Sequence, residues 1–154
     1  MSTVHAQIEI AAPPRLVWQV VMDPQRLGEW VTIHRAVKVT ADDPTAEGAQ
    51  MEQVLHVVGV SFKVRWTLES VRAPREAEWR GRGPALSRAM IRYRIEGEPD
   101  GPTLFDYVNE FQAPGGPLGT VASKMVVGHI SEREAHESLA RLKALVEREA
   151  AASH

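Results

Sequence analysis

Residues 1–30 read MSTVHAQIEIAAPPRLVWQVVMDPQRLGEW. Val4, Ala6, Ile8 and Ile10 alternate with His5, Gln7 and Glu9, the period of a strand with one face buried. Pro13-Pro14 stop that strand. A proline in the first turn of a helix lacks an N–H that would have had no intrahelical partner, so the same pair opens a helix carrying Leu16, Val17, Trp18, Val20 and Val21. Asp23-Pro24 repeats the device, with Asp23 as side-chain cap of a second short helix ending near Trp30.

Downstream the chain reads as a succession of strands. His34 to Thr40 is the first, ended by Ala41-Asp42-Asp43-Pro44 and Gly48. Gln50 to Val58 and Ser61 to Val71 flank Gly59 as a hairpin. In the second of these, Phe62, Val64, Trp66 and Leu68 alternate with Lys63, Arg65, Thr67 and Glu69, which assigns one face to the interior. Glu76 to Gly81 places Ala77 and Trp79 on one face, and Gly81-Arg82-Gly83-Pro84 reads as a loop. Ser87 to Glu96 sets Ala89, Ile91, Tyr93 and Ile95 against the charged phase. Thr103 to Phe111 offers Phe105, Tyr107, Asn109 and Phe111 inward, with the opposite phase, Leu104 and Val108, left open.

Pro114-Gly115-Gly116-Pro117 ends the strands. From there to about Ala150, Val121, Met125, Gly128, Ala135, Leu139, Leu142 and Val146 fall on one helical stripe, which predicts a single long amphipathic helix. Ser131 and Glu134 have capping-box spacing and Gly128 is a poor helix former, so a kink or two consecutive helices stay open.

The chain has 154 residues, 44% hydrophobic and 25% charged, with 18 basic against 20 acidic residues. That size predicts a single domain over 1–154 with a core large enough for a pocket. Cysteine is absent, which excludes disulfides, thiolate nucleophiles and cysteine metal sites. The N-terminus lacks the pattern of a signal peptide and no apolar run reaches membrane-span length, so a cytoplasmic protein without a membrane span is expected.

One strand, two short helices, about six further strands and one long helix can bury all their apolar faces if a bent sheet wraps the helix. That expectation is an α+β, helix-grip fold: an antiparallel sheet of about seven strands around a long C-terminal helix, with two short helices after strand 1. The chain resembles the polyketide cyclase and START-related lipid-transfer (SRPBCC) superfamily. The resemblance rests on Ile8, Ile10, Ala12-Pro13, Val17-Trp18, Val20, Asp23-Pro24, Leu27 and Trp30, on Gly101 to Thr103, and on Ser138-Leu139, Arg141-Leu142-Lys143 and Val146-Glu147. It spans essentially the whole chain and speaks to fold more than function, because members include carriers, cyclases, hydroxylase subunits and chaperone regulators.

The resemblance implies a cavity between sheet and long helix. Phe62, Trp66, Trp79, Ile91, Tyr93, Phe105, Tyr107 and Phe111 are its candidate lining, joined by Trp30 from the short helices and Met125 from the long one. A solid core is the competing reading, and Trp18 is assigned to packing of the first helix. Asn109, Tyr93 and Tyr107 are the candidate inward polar groups, and a buried amide or phenol needs a partner from a ligand, a neighbour or water. His129, Glu132 and His136 share one side of the helix, but two turns part the imidazoles by about 10 Å, so no metal site is expected and only His129 is taken as a pocket candidate. His34 and His56 lie in strands of unassigned phase.

No G-x-S-x-G, P-loop, G-x-G-x-x-G or H-E-x-x-H motif is present, and the acids fall on outward phases or in loops. No cofactor is called for. From Lys63 to Arg94 nine basic residues stand against Glu69, Glu76 and Glu78, several in the outward phase, so the convex sheet face carries a basic stripe. A solvated face with cross-strand Arg-Glu pairs is the leading reading, and an acidic protein or an anionic surface as its partner is the alternative. Nucleic acid is not expected, because the strand aromatics share the inward face. The leading functional expectation is carriage or sequestration of a hydrophobic small molecule such as a lipid, polyketide or aromatic metabolite. A cyclase, aromatase or dehydratase using Tyr93, Tyr107, Asn109 or His129 comes second, lowered because such cyclases often carry a pocket arginine. A regulatory domain docking through the basic face comes third.

Overall fold

The computed structural model describes residues 2–57, 59–112 and 117–152, with side chains described for 3–57, 59–112 and 132–152. Strand β1 (Ser2–Ile10) leads into helix α1 (Pro14–Val21), a 3-10 turn (Pro24–Arg26) and helix α2 (Leu27–Trp30). Then come β2 (His34–Val39), β3 (Gln50–Val57), β4 (Val60–Arg72), β5 (Glu76–Arg82), β6 (Arg88–Glu96), β7 (Thr103–Gln112) and helix α3 (Pro117–Ala152). Local chemistry explains the opening. Pro14 occupies the first turn of α1, and the Asp23 carboxylate accepts the Gln25 N–H at 3.0 Å, satisfying a donor the short turn leaves free.

The seven strands form one antiparallel sheet in the order β1-β7-β6-β5-β4-β3-β2, so the first strand completes the sheet beside the last. Ile10, Val17, Val20, Leu68, Ile95, Phe105, Leu139, Leu142 and Val146 form the fully buried centre, and α3 packs on β1, α1 and α2. The predicted stripe of α3 is thus buried at Ala135, Leu139, Leu142 and Val146. Val121, Met125 and the side of Gly128 lie outside the described side chains, while the α3 backbone runs through Gly128 as one helix. Val58, expected at the end of a strand, lies outside the described residues.

Three details differ from expectation or resolve it. β5 continues through Gly81 and Arg82 instead of breaking into a loop, because Gly81 pairs with both Trp66 and Ala89. A Cβ on Gly81 would lie 2.6 Å from the Trp66 ring, so glycine is there to let that indole cross the strand. In β7 the inward phase is that of Phe105, Tyr107, Asn109 and Phe111, which face Ile8 and Ala6 on β1 and Ile95, Tyr93 and Ile91 on β6 through the register. Thr103, at the start of β7, donates through Oγ1 to the Ala12 carbonyl at 2.7 Å, and Gly101, at φ 81°, brings its α-carbon so close that a Cβ would meet the same carbonyl oxygen at 2.7 Å.

Candidate functional site

A cavity of about 150 Å3 lies between the concave sheet face, the α1–α2 segment and α3. Its walls are mainly aliphatic and aromatic. The β3 strand contributes Met51, Gln53, Leu55 and Val57, and β4 contributes Phe62, Val64 and Trp66. Trp79 comes from β5, Ala89, Ile91 and Tyr93 from β6, and Tyr107, Asn109 and Phe111 from β7. The α1–α2 segment adds Val21, Met22, Pro24, Leu27, Trp30, Val31 and Ile33, and α3 adds Glu134 and Ser138.

Nine of the predicted residues therefore converge on one space: Trp30, Phe62, Trp66, Trp79, Ile91, Tyr93, Tyr107, Asn109 and Phe111. Phe105 does not line it. Fully buried, its ring sits edge-on to Trp30 at 6.4 Å and 5.3 Å from Tyr93, filling the core behind the two aromatics that form the wall. The Met125 and His129 side chains fall outside the described residues. Glu132 and His136 are exposed on α3, and among the described residues no three His, Cys, Asp or Glu side chains come together as a metal site.

Sequence reasoning missed Gln53, Glu134 and Ser138. The capping-box spacing of Ser131 and Glu134 leaves a second helix start open, but α3 is one helix through this point and the Glu134 carboxyl turns inward. The Ser138 hydroxyl donates to Glu134 Oε1 at 2.5 Å, and the Thr32 hydroxyl reaches the same oxygen at 3.4 Å. Ser138 Oγ in turn accepts the Thr32 backbone N–H at 3.1 Å, which ties the exit of α2 to α3. Burial raises the Glu134 carboxyl above its ordinary value of 4.5, and the two hydroxyl donors only partly offset this. Both donate to Oε1, so Oε2 has no hydrogen-bond partner among the described residues.

The remaining polar groups are arranged as donors. Burial, reinforced by the Glu134 charge, raises the Tyr93 and Tyr107 hydroxyls, so both keep their protons at neutral pH. Tyr107 accepts the Asn109 amide N–H at 3.1 Å, which leaves its own proton free to donate. Two tryptophans contrast. Trp66 Nε1 donates to Gln53 Oε1 at 2.9 Å, and the Gln53 amide donates onward to Nδ1 of His34 at 2.9 Å. Burial lowers His34, in keeping with the neutral ring that such an acceptor requires. Trp30, only 1% exposed, has an Nε1 donor that no group meets among the described residues. Its indole lies 5.9 Å from the Tyr93 ring on the same wall. No lysine, arginine or histidine is among the described lining residues.

This architecture is shared with known proteins. An uncharacterized protein of Mycobacterium tuberculosis, Rv1546, is 25% identical over 133 residues, covering 86% of this chain and 93% of its own. A second protein of that organism, named as a toxin, Rv0910, is 23% identical over 133 residues, covering 86% and 92%. Among solved structures, a START superfamily protein of Mycobacterium smegmatis superposes with a TM-score of 0.67 at 17% identity over the full length of both chains. No helix among the described residues is long and apolar enough to cross a membrane. The sequence model described as "Polyketide cyclase / dehydrase and lipid transport" matches residues 1–147, so the chain belongs to that family.

Proposed function

We propose that this protein binds a small, neutral, hydrophobic molecule bearing a hydrogen-bond acceptor, such as an aromatic ketone, and carries or sequesters it. The buried Trp30 N–H carries this reading. An unmet buried donor costs about 1–3 kcal/mol; this N–H lies within the wall that Trp30 gives the cavity, and a ligand carbonyl that displaced the wall to reach it would remove that cost. Size narrows the class further, since an apolar void of roughly 150 Å3 accommodates about one aromatic ring and not a whole phospholipid. Charge narrows it again. A carboxylate ligand would meet Glu134 and find no cation among the described lining residues.

Tryptophan fluorescence titration with one ring system bearing in turn no substituent, a ketone, a carboxylate and an amine tests the reading. The ketone is expected to bind tightest, and Trp30→Phe should bring it down to the hydrocarbon. Tightest binding of the carboxylate would overturn the proposal.

One observation favours a second, catalytic reading. Glu134, with its raised carboxyl, faces the cavity that Tyr93, Tyr107 and Asn109 also face, so a base and hydroxyl donors share one space. In this reading a tyrosine hydroxyl polarises a ligand carbonyl and Glu134 takes the proton from the adjacent carbon, as cyclisation or dehydration requires. Deuterium exchange at that carbon of a bound ketone, lost in Glu134→Gln with binding retained, would establish it. A ketone that binds without exchanging would leave carriage alone.

A further inference from the structure

Outside the cavity, the large apolar side chains that stand out in solvent among the described residues are Leu86, 90% exposed, and Val60, 61% exposed. Both belong to one end of the sheet. Val60 opens β4 after the β3–β4 hairpin turn, and Leu86 sits in the turn Pro84–Leu86 between β5 and β6. That second turn is built to hold its shape. Ser87 N donates to Pro84 O at 3.1 Å, Ser87 Oγ to the same carbonyl at 2.8 Å, and Gly83 N to Ser87 O at 3.0 Å. Ala85 and Leu86 take φ values of 53° and 66°, a left-handed conformation that works against any side chain with a Cβ. A strained, pinned turn thus displays a leucine to solvent.

The strands behind this end carry a second irregularity. Arg65 on β4 stands directly opposite Arg82 on β5, and Arg82 stands directly opposite Arg88 on β6. Like charges in facing positions weaken a sheet, so this row is costly to the fold itself. Lys63 lies one outward position nearer the turn on β4. Arg65 has Glu52 at 3.2 Å, whereas Lys63, Arg82 and Arg88 have no ion-pair partner among the described residues. Aliphatic side chains on two separate turns, with four cations on the outward face of the strands behind them, match a surface that is apolar within and anionic at its boundary. A folded acidic partner would match the cations but would have to supply apolar sockets for two separate tips. A bilayer meets both demands with one surface.

We propose that this end of the sheet is a docking surface for membranes containing anionic phospholipid. Leu86 and Val60 enter the acyl boundary while Lys63, Arg65, Arg82 and Arg88 meet lipid phosphates. The cavity residues Val57, Phe62, Ala89 and Phe111 lie at the same end, since Val57 pairs with Val60 and Ala89 with Phe111, next to the Arg88–Gln112 pair. Docking would bring that part of the cavity wall toward the bilayer, where apolar solutes partition. The inference does not depend on which ligand the cavity holds.

Flotation of the full chain with phosphatidylcholine vesicles, with and without phosphatidylglycerol, tests it. Binding is expected to require phosphatidylglycerol and to weaken with salt. Leu86→Asn, in which asparagine tolerates the left-handed backbone, should weaken binding roughly tenfold. Arg82→Gln with Arg88→Gln should weaken it about fivefold per arginine removed. Unchanged melting and an unchanged tryptophan emission spectrum would show that fold and cavity are intact in these variants. Equal binding to both vesicle types, or no loss in either variant, would overturn the proposal. So would retention on immobilised polyglutamate without any vesicle binding, which would give the face to an acidic protein.

Discussion

The Ser138 hydroxyl donates to Glu134 Oε1 at 2.5 Å from one turn further along α3, so a carboxyl inside the apolar cavity is held by its own helix. Thr32 adds a second donor, while Tyr93, Tyr107 and Glu137 surround the charge without neutralising it. Because burial raises this carboxyl in the folded state above its ordinary 4.5, the native protein binds the proton more tightly than the unfolded chain does.

Stability from this group is therefore highest below about 4.5 and falls as pH rises through the higher folded value, then stays low. Glu134→Gln keeps an acceptor for Ser138 and Thr32 but cannot ionise. It is expected to gain on the order of 1–2 kcal/mol at neutral pH and little in acid. Urea melts across a pH series check this, and a variant less stable at neutral pH than the parent would refute it.

Two of the cavity tryptophans predict unequal responses to one substitution. Trp66→Phe deletes the donor that satisfies Gln53 Oε1, stranding a buried acceptor, and should cost about 1–3 kcal/mol beyond the lost contact area. Trp30→Phe deletes a donor with no partner among the described residues, so only ring volume is lost. In denaturant titrations Trp30→Phe should be the milder of the two, and the reverse order would contradict the hydrogen-bond assignment.

Gly81 supplies a third prediction. A Cβ there would meet Trp66 Cζ3 at 2.6 Å and Val64 Cγ1 at 2.8 Å, both on the cavity wall. Gly81→Ala should therefore destabilise by about 1–3 kcal/mol through overpacking and push the indole into the cavity. Trp66→Leu in the same chain should relieve part of that loss. Simple additivity of the two changes in a double-mutant cycle would show that the contact is not the cause.

What could be read from sequence was what is local. The alternation of β1 and β4, Pro14 at the start of α1 and the Asp23 cap each need only a few neighbouring residues to make sense, and each is present. Three of the residues that carried the family resemblance have a purely structural role. Ala12, Gly101 and Thr103 form a tight backbone joint between β1 and β7, outside the cavity wall, which is why they speak to fold and are silent on ligand. The inward phase of β7 depended on pairing with β1, about 100 residues away, and periodicity alone left it open. Glu134, Ser138 and Gln53 were hidden for the same reason. A polar residue facing a cavity is explained by partners such as Thr32, 106 positions from Ser138, and no local pattern records them.

The convex face offers the last prediction, through a carboxylate that behaves oppositely to Glu134. Asp106 is buried on the outer side of β7, where His5 Nε2 lies 2.5 Å and Gln7 Nε2 2.6 Å from its Oδ1. Burial pushes its pKa up, but the bonds from His5 and Gln7, helped by the charges of His5 and Arg94, outweigh this and hold it below 3.8. A depressed folded value means that the stabilisation is present above the unfolded value and is lost as pH falls through the folded one. Because His5 is largely exposed, solvent screening limits the gain to about 1 kcal/mol. Asp106→Asn should lower stability by that amount at neutral pH and make the β1–β7 edge less sensitive to acid. Hydrogen exchange of β1 amides across the acid range checks this, and an identical acid response in the variant would remove Asp106 as the cause.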